Sequence, residues 1–428
     1  MKGERILIVA HGHPEISFGG GEIAAHAEWA ELRRRGCEAM FVGWTLHSAG
    51  HPGTPFSARS ADGRELLFAA PPVDHFRHSQ RHHLIVYQHF RELLERFQPT
   101  IVHFHHYVHM GLELVREVRK YSPSVRIVMT LHEFLAICHA QGQMLKTNGM
   151  LCTKASPFDC HLCFPKISPQ DFFMRELFVK SFLKLVDLFV CPSNFLRDRY
   201  VAWGLPAEKL IVLENGQPDA AALESGAPAP ALRTRFAILG QLSKLKGTPV
   251  VLDAVRLLPP EIRKTVRIEI HGSLQYQTDK FKKKFEQALE KLGDTVKYCG
   301  PYFRGDVGSI VRDNGWVIVP SIWWENSPLV IQEAFSFGRP VICSNIGGMA
   351  EKVIDGVSGL HFAAGNAAAL ARRIEEAATS PGLWERLRDG LPTPPKIAAQ
   401  TDELLARYEA IQPPDAAIPG KKRTAAKR

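Results

Sequence analysis

No run of about twenty unbroken apolar residues occurs in this chain of 428, which argues against a membrane-spanning helix. Cysteine is sparse: eight in the whole length, too few for a fold scaffolded by disulfides. The first apolar run, from Ile6 to Ala10 in MKGERILIVAHGHP, is too short for a signal-peptide core and reads as a first strand. The expectation is a cytoplasmic protein, at most peripheral on the inner face of a membrane. No G-x-G-x-x-G follows that strand, where the loop reads HGHPEISFGGG, and the second strand ends VGW without an acidic residue. Both absences speak against a nucleotide-binding dehydrogenase. No Asp-x-Asp pair is placed to hold a catalytic metal, so none is expected.

The composition is that of an ordinary globular protein, 45% hydrophobic and 23% charged, and the length allows two or three domains. The net charge of +9 overstates the folded surface. Five of those charges, Lys421, Lys422, Arg423, Lys427 and Arg428, lie in the tail KKRTAAKR, leaving an excess of four. That suits an anionic ligand or an anionic membrane surface, and no nucleic-acid partner is expected.

Strand-like and helix-like stretches alternate throughout. Residues 5–10, 38–44, 101–104, 125–131, 188–191 and 209–213 read as strands of the first half; 84–97, 111–120, 171–185 and 194–201 read as its helices. Residues 215–233, rich in Pro, Ala and Gly, mark a boundary. The scheme then repeats, with strands at 235–239, 266–270, 295–298 and 316–320 and helices at 249–258 and 280–292. Such alternation implies right-handed βαβ units: an α/β protein of two Rossmann-like, doubly wound parallel-sheet domains. The predicted organisation is an N-terminal domain over 1–217, a linker at 218–233, a second domain over 234–390, a helical segment at 391–412 and a disordered basic tail at 413–428.

The chain is organised around 316–333, WVIVPSIWWENSPLVIQE. A short buried strand ends at Pro320, and Ser327-Pro328 predicts a capped helix running from Pro328 to Phe337, where Gly338 stops it. Glu325 precedes that helix and Glu333 lies within it; Pro328 to Glu333 is a rise of roughly 7.5 Å. Between the carboxylates, unpaired N–H groups sit at the positive end of the helix dipole. The layout suits a ligand with hydroxyls at both ends and a diphosphate between, which is the shape of a nucleotide sugar. A second phosphate-holding stretch is GQLSKLKG, 240–247, where Lys246 stands beside a helix predicted to start at Thr248-Pro249.

Other residues admit plainer readings. Trp323 and Trp324 could stack on a base or sugar or simply pack. His103, His105, His106 and His109 (HFHHYVH) read as a strand end rather than a metal site. The helix PQDFFMRELFVKSFLKLVD reads as core packing before membrane contact. Cys138, Cys152, Cys160 and Cys163 are spaced C-x13-C-x7-C-x2-C across an irregular insert, 138–165. One structural zinc site, free thiols and two disulfides all fit that spacing; zinc would tie down a stretch unable to build its own core. The remaining cysteines read as small buried residues.

Glu325 through Glu333 spell E-x7-E, followed by AFSFGRPVICSNIGGMAE. Together with GQLSKLKG, LENG (213–216) and GGGE (19–22), this ordered set resembles a retaining glycosyltransferase of family 4 from about Ile6 to about Leu387, of the kind with a four-cysteine insert in the N-terminal domain. The resemblance implies the GT-B fold, two domains facing across a cleft, and transfer of a hexose-type sugar from a nucleotide-diphosphate sugar to a hydroxyl of a glycan, a lipid-linked sugar or a small molecule. It implies that Glu333 binds the ribose and Glu325 the transferred hexose. The amides of Ser327, Leu329 and Val330, with Asn326 and Pro328 in the same loop, would meet the diphosphate opposite Lys246. Gly20 and Gly21 would admit the ligand to the N-terminal domain's backbone, and His132 matches the sugar-binding histidine. The family usually has Arg where this chain has Gln241, which puts phosphate affinity in question, with Lys244 a substitute. A GT-B epimerase, a phosphorylase and a non-catalytic sugar-nucleotide sensor are the alternatives.

Overall fold

The computed structural model describes residues 3–16, 19–46, 54–81, 83–218 and 230–412. The basic tail, most of the predicted linker and Ser17 lie outside the described residues. Two compact units are each assembled from separate stretches: 1–130, 174–190 and 402–428 form one, and 131–173 and 191–401 the other.

In the first unit, Arg5–Ala10 occupies the middle of a parallel sheet, between Glu38–Thr45 and Ile101–Phe104. The sheet continues through Arg126–Thr130 and Leu188–Cys191 on one side and through Glu65–Ala69 on the other. Phe56–Ala58 closes the latter edge antiparallel, a strand that the sequence pattern misses because it is three residues long. The central strands are buried on both faces, as the uninterrupted apolar run ILIVA requires. The last helix, Ile397–Ala410, supplies a fully buried Tyr408 to this unit.

The second unit holds a six-stranded, wholly parallel sheet. Its spatial order is Val296–Gly300, Arg267–His271, Arg235–Leu239, Trp316–Val319, Val341–Ser344, Gly359–Phe362. Counted along the chain that is 3-2-1-4-5-6, so the order reverses between Arg235–Leu239 and Trp316–Val319. Ligands of such sheets bind outside the carboxyl ends of the strands at that switch point. The loops leaving there are 240–247 and 320–328. Trp316 anchors the fourth strand, fully buried, with its indole N–H on the Arg233 carbonyl at 2.9 Å.

Several boundaries differ from expectation. The helix after the fourth strand runs Leu329–Ser336, with Pro328 in the capping position and no side-chain cap. Extended backbone at Pro328 (ψ 115) delays the helix by one residue, and Ser327 Oγ has no partner. The helix after the lysine loop runs Thr248–Leu257, and left-handed Gly247 rather than Thr248 stands at its cap. The insert is not wholly irregular either. Ser156 Oγ accepts from the Asp159 amide at 3.1 Å and starts a helix, Pro157–Cys163, with proline in its first turn.

Candidate functional site

The switch point of the second unit is closed by contact between its two loops. Gly247 has φ +74, and a Cβ there would fall 1.8 Å from the Pro320 carbonyl oxygen, so only glycine lets the loops meet. The Ile322 amide donates to the Leu245 carbonyl at 2.8 Å. This close approach puts Lys246 opposite Glu325, Nζ to Oε1 at 2.7 Å. Ser321 Oγ and the Trp323 indole N–H donate to the same oxygen at 2.7 and 2.8 Å. Among the described residues no donor meets Oε2.

Burial works against the charged form of Glu325. Lys246, Ser321 and Trp323 together outweigh it and hold the carboxyl below the usual carboxylate range. Glu333 titrates in the opposite sense: burial pushes its carboxyl up, and Arg304 only partly offsets this. The two carboxylates of one helix start therefore differ because one has a cation in contact and the other does not.

The loop between them keeps unmet polar capacity. Asn326 Nδ2 donates to the His132 carbonyl at 2.7 Å, but Asn326 Oδ1 and Ser327 Oγ, both shielded from solvent, have no partner. The N–H groups opening helix Leu329–Ser336 have no acceptor within the helix, an arrangement that suits an anion. The helix is braced from below. Buried Gln332 donates to Glu214 Oε1 at 2.6 Å and accepts from Gln217 at 2.7 Å, and Lys352 pairs with Glu214. Gly348 approaches so closely that a Cβ would lie 1.7 Å from the Asn326 carbonyl oxygen.

Of the residues singled out from sequence, Lys246, Glu325, Asn326, Ser327, Pro328, Leu329, Val330 and Glu333 thus lie on the two switch-point loops and the helix that follows. His132 is half-buried and joins them through its backbone. Gln241 is exposed at the start of the lysine loop, and Lys244 is exposed as well. Gly20 and Gly21 open helix Gly20–Arg34 of the first unit. Trp324 is committed to packing: its indole N–H donates to the Cys152 carbonyl at 2.9 Å, and its ring lies 5.0 Å from that of Phe195 and 5.1 Å from the Arg199 guanidinium. Sequence reasoning missed Ser321 as a partner of Glu325; its spacing of four residues across a strand-to-helix turn was the available signal.

The insert bears on this loop, and 131–173 belong to the second unit. Besides the Trp324 contact, Arg199 donates to the Thr153 carbonyl at 2.8 Å. Cys138, Cys152, Cys160 and Cys163 are half-buried and form no disulfide among the described residues. Burial raises the Cys152 thiol, and Cys163 adds to the effect. The close groups of metal-capable side chains among the described residues are His13, His26 and Glu65; Glu28, His103 and His105; and Glu269, His271 and Cys299. The four cysteines form none of them.

In the first unit, Glu28 is buried between His103 (2.9 Å) and His105 (3.4 Å), and Tyr408 also reaches it at 3.2 Å. His103 Nε2 meets Thr130 Oγ1 at 2.7 Å. The strand-end reading of these histidines therefore resolves into a hydrogen-bonded interior network. Among the described residues no helix is long and apolar enough to cross a membrane.

Residues 229–390 match the family described as Glycosyl transferases group 1, and residues 18–218 match Glycosyltransferase Family 4. A D-inositol 3-phosphate glycosyltransferase of Streptomyces bingchenggensis is 29% identical over 176 residues, 40% of this chain and 38% of that protein. A lipopolysaccharide 1,2-N-acetylglucosaminetransferase of Salmonella typhimurium is 24% identical over 259 residues, 60% of this chain and 58% of that protein. The chain thus spans from about four-tenths to just under six-tenths of these relatives' length. Among solved structures, Anabaena Alr3699/HepE in complex with UDP and glucose superposes with a TM-score of 0.64 at 16% identity, covering 95% of this chain and 100% of that one.

Proposed function

From a chain that carries glycosyltransferase group 1 and family 4 domains on the GT-B fold, we propose a retaining glycosyltransferase. It moves a hexose-type sugar from a nucleotide-diphosphate sugar to a hydroxyl acceptor, whether glycan, lipid-linked sugar or small molecule. The observation that carries this reading is the Lys246–Glu325 pair at the switch point of the second unit, beside a helix start with unmet N–H groups. The UDP and glucose named with the Anabaena neighbour are consistent with such a donor.

In the proposed geometry the diphosphate lies along the start of helix Leu329–Ser336, with Lys246 on its other side. Glu333 accepts from the ribose hydroxyls and Glu325 Oε2 from the hexose. The bond from the anomeric carbon to the diphosphate oxygen breaks, and the acceptor oxygen bonds to the same face. A donor phosphate oxygen takes the acceptor's proton, so no protein base is required. Lys246 and the helix N–H groups stabilise the charge gathering on the leaving diphosphate. His132 is placed as a hexose contact, and no catalytic metal is assigned. We also propose that the four cysteines hold one structural zinc ion. Cys160 and Cys163 lie one turn apart on a single helix, and a four-thiolate set suits that metal.

A thermal-shift screen against UDP-, GDP- and ADP-sugars tests the donor reading, since only a bound nucleotide raises the melting temperature. Glu333→Ala is expected to weaken donor binding more than turnover at saturation, and the reverse pattern would move the ribose contact elsewhere. Acceptor-free conversion of a nucleotide sugar into its epimer would make the protein an epimerase, and dependence on phosphate a phosphorylase.

A further inference from the structure

Trp323 is, among the described residues, a side chain that touches both members of the Lys246–Glu325 pair. Its indole N–H donates to Glu325 Oε1 at 2.8 Å, and the Lys246 ammonium lies 5.6 Å from its ring centroid, within cation–π range. Glu325 is 9% exposed, whereas the Lys246 side chain is 37% exposed and free to move toward solvent. Lys246 therefore has two competing anions once a diphosphate enters: the carboxylate it already holds and the phosphate it is placed to meet. A buried carboxylate that lost its only cation would protonate or turn away, because desolvation favours the neutral form. Two neutral donors, Ser321 Oγ and the Trp323 N–H, would remain on the same oxygen.

Resting on the donor reading above, we propose that Trp323 is a positioning residue that keeps Glu325 ionised and aimed while Lys246 exchanges the carboxylate for the donor's diphosphate. Its ring offers the ammonium a surface on which to slide between the two partners. Its N–H fixes Oε1, so that Oε2 faces the ligand. Trp323 touches no reacting atom in this scheme; it acts through Glu325 and Lys246. The neighbouring tryptophan does not share this role, because its indole N–H is spent on the Cys152 carbonyl.

The test uses the full chain and whichever of UDP-, GDP- or ADP-glucose the wild type hydrolyses, with water as acceptor. Trp323→Phe keeps a ring beneath Lys246 and deletes the N–H. It is expected to lower kcat about tenfold, the worth of one hydrogen bond to a charged group. Nucleotide-diphosphate affinity stays within about twofold, since Lys246 and its ring contact remain. The acid limb of the kcat profile moves upward by roughly one pH unit, because Glu325 loses a donor that favours its charged form. Trp323→Gln restores an N–H without a ring: the acid limb returns toward wild type while nucleotide affinity weakens. An unmoved acid limb in Trp323→Phe overturns the proposal, including the case where kcat and melting temperature fall together through packing alone. Should Trp323→Phe fail to fold, the limb and affinity of Trp323→Gln decide in the same way. A wild type that neither binds nor hydrolyses any of the three sugars overturns the donor reading and this inference with it. A wild type that turns over beside an unaltered Trp323→Phe overturns this inference only.

Discussion

The two units present chemically opposite crevices at the carboxyl ends of their central strands. In the first, the loops after Arg5–Ala10 and Ile101–Phe104, with helix Gly20–Arg34 and strand Ile101–Phe104 themselves, bring histidines onto carboxylates: His11 on Glu22 at 3.2 Å, His13 and His26 on Glu65 at 2.9 and 2.7 Å, His103 and His105 on Glu28. In the second, the loops after Arg235–Leu239 and Trp316–Val319 bring one lysine to one carboxylate and leave the buried Asn326 Oδ1 and Ser327 Oγ without partners among the described residues. Polar groups that satisfy one another inside a protein stabilise and specify its fold. Polar groups left unmet in a sheltered loop are costly unless something else supplies their hydrogen bonds. The first set is mostly paired, with His11 Nδ1 left over, whereas in the second the unmet atoms gather on one loop.

The largest effect should come from breaking the second crevice. Lys246→Ala removes the cation from Glu325 and from the diphosphate together, and turnover should fall at least roughly tenfold, since a hydrogen bond to a charged group is worth about 1.5–3 kcal/mol. Its melting temperature should change little, because Lys246 is partly exposed. Wild-type turnover in steady-state assays of Lys246→Ala would return the phosphate contact to Lys244.

The first crevice should respond in stability rather than in donor affinity. Burial holds the imidazole of His105 below its usual range, and burial with His11 and His75 nearby pushes His109 down to about 4. An unfolded chain regains the ordinary imidazole value and so binds more protons than the folded one below about pH 6.5. Stability is therefore full above that value and is lost as the pH falls toward 4. Glu28, with burial opposing its charge but His103 and His105 prevailing, stays ionised through this window and gives way only at stronger acid. Melting curves between pH 7 and pH 4 should show the decline, and His109→Phe should flatten it. Glu28→Gln should cost about 3 kcal/mol at neutral pH by leaving a buried network unmatched, with nucleotide affinity unchanged. A loss of donor binding in Glu28→Gln equal to that of Lys246→Ala would erase the contrast between the crevices.

The smallest effect concerns the insert. Elemental analysis should find about one zinc per chain. Cys160→Ser should lower that content and open the insert to proteolysis, while turnover falls by no more than a fewfold, because its carbonyls reach the site only through Trp324 and Arg199. A metal-free protein with four freely titrating thiols would retire the zinc assignment.

Much of this was legible in the sequence because the relevant signals are local. Uninterrupted apolar runs such as ILIVA and WVIV have few ways to be buried except as central strands of a parallel sheet. Proline at 328 restricts the backbone wherever it occurs and glycine at 247 permits a turn that other residues resist, which is why the two loops and the helix between the glutamates could be found without coordinates. The three-residue edge strand Phe56–Ala58 could not be found, because a stretch that short has no periodicity and forms only against Glu65–Ala69.

What the sequence alone determined is the alternation of strands and helices, the positions of the switch-point loops, and the kinds of charge they carry. Three matters were left to the tertiary structure. Which half the insert joins depends on contacts that 131–173 make with residues far along the chain. Which histidines are spent on carboxylates depends on Glu28 of a helix face meeting His103 on a strand 75 residues later. The opposite titration of Glu325 and Glu333 depends on one contact across the loops, Lys246 to Glu325. Spacing along a chain fixes what can lie on one face of one element; burial and pairing are properties of how elements meet, and no single stretch encodes them.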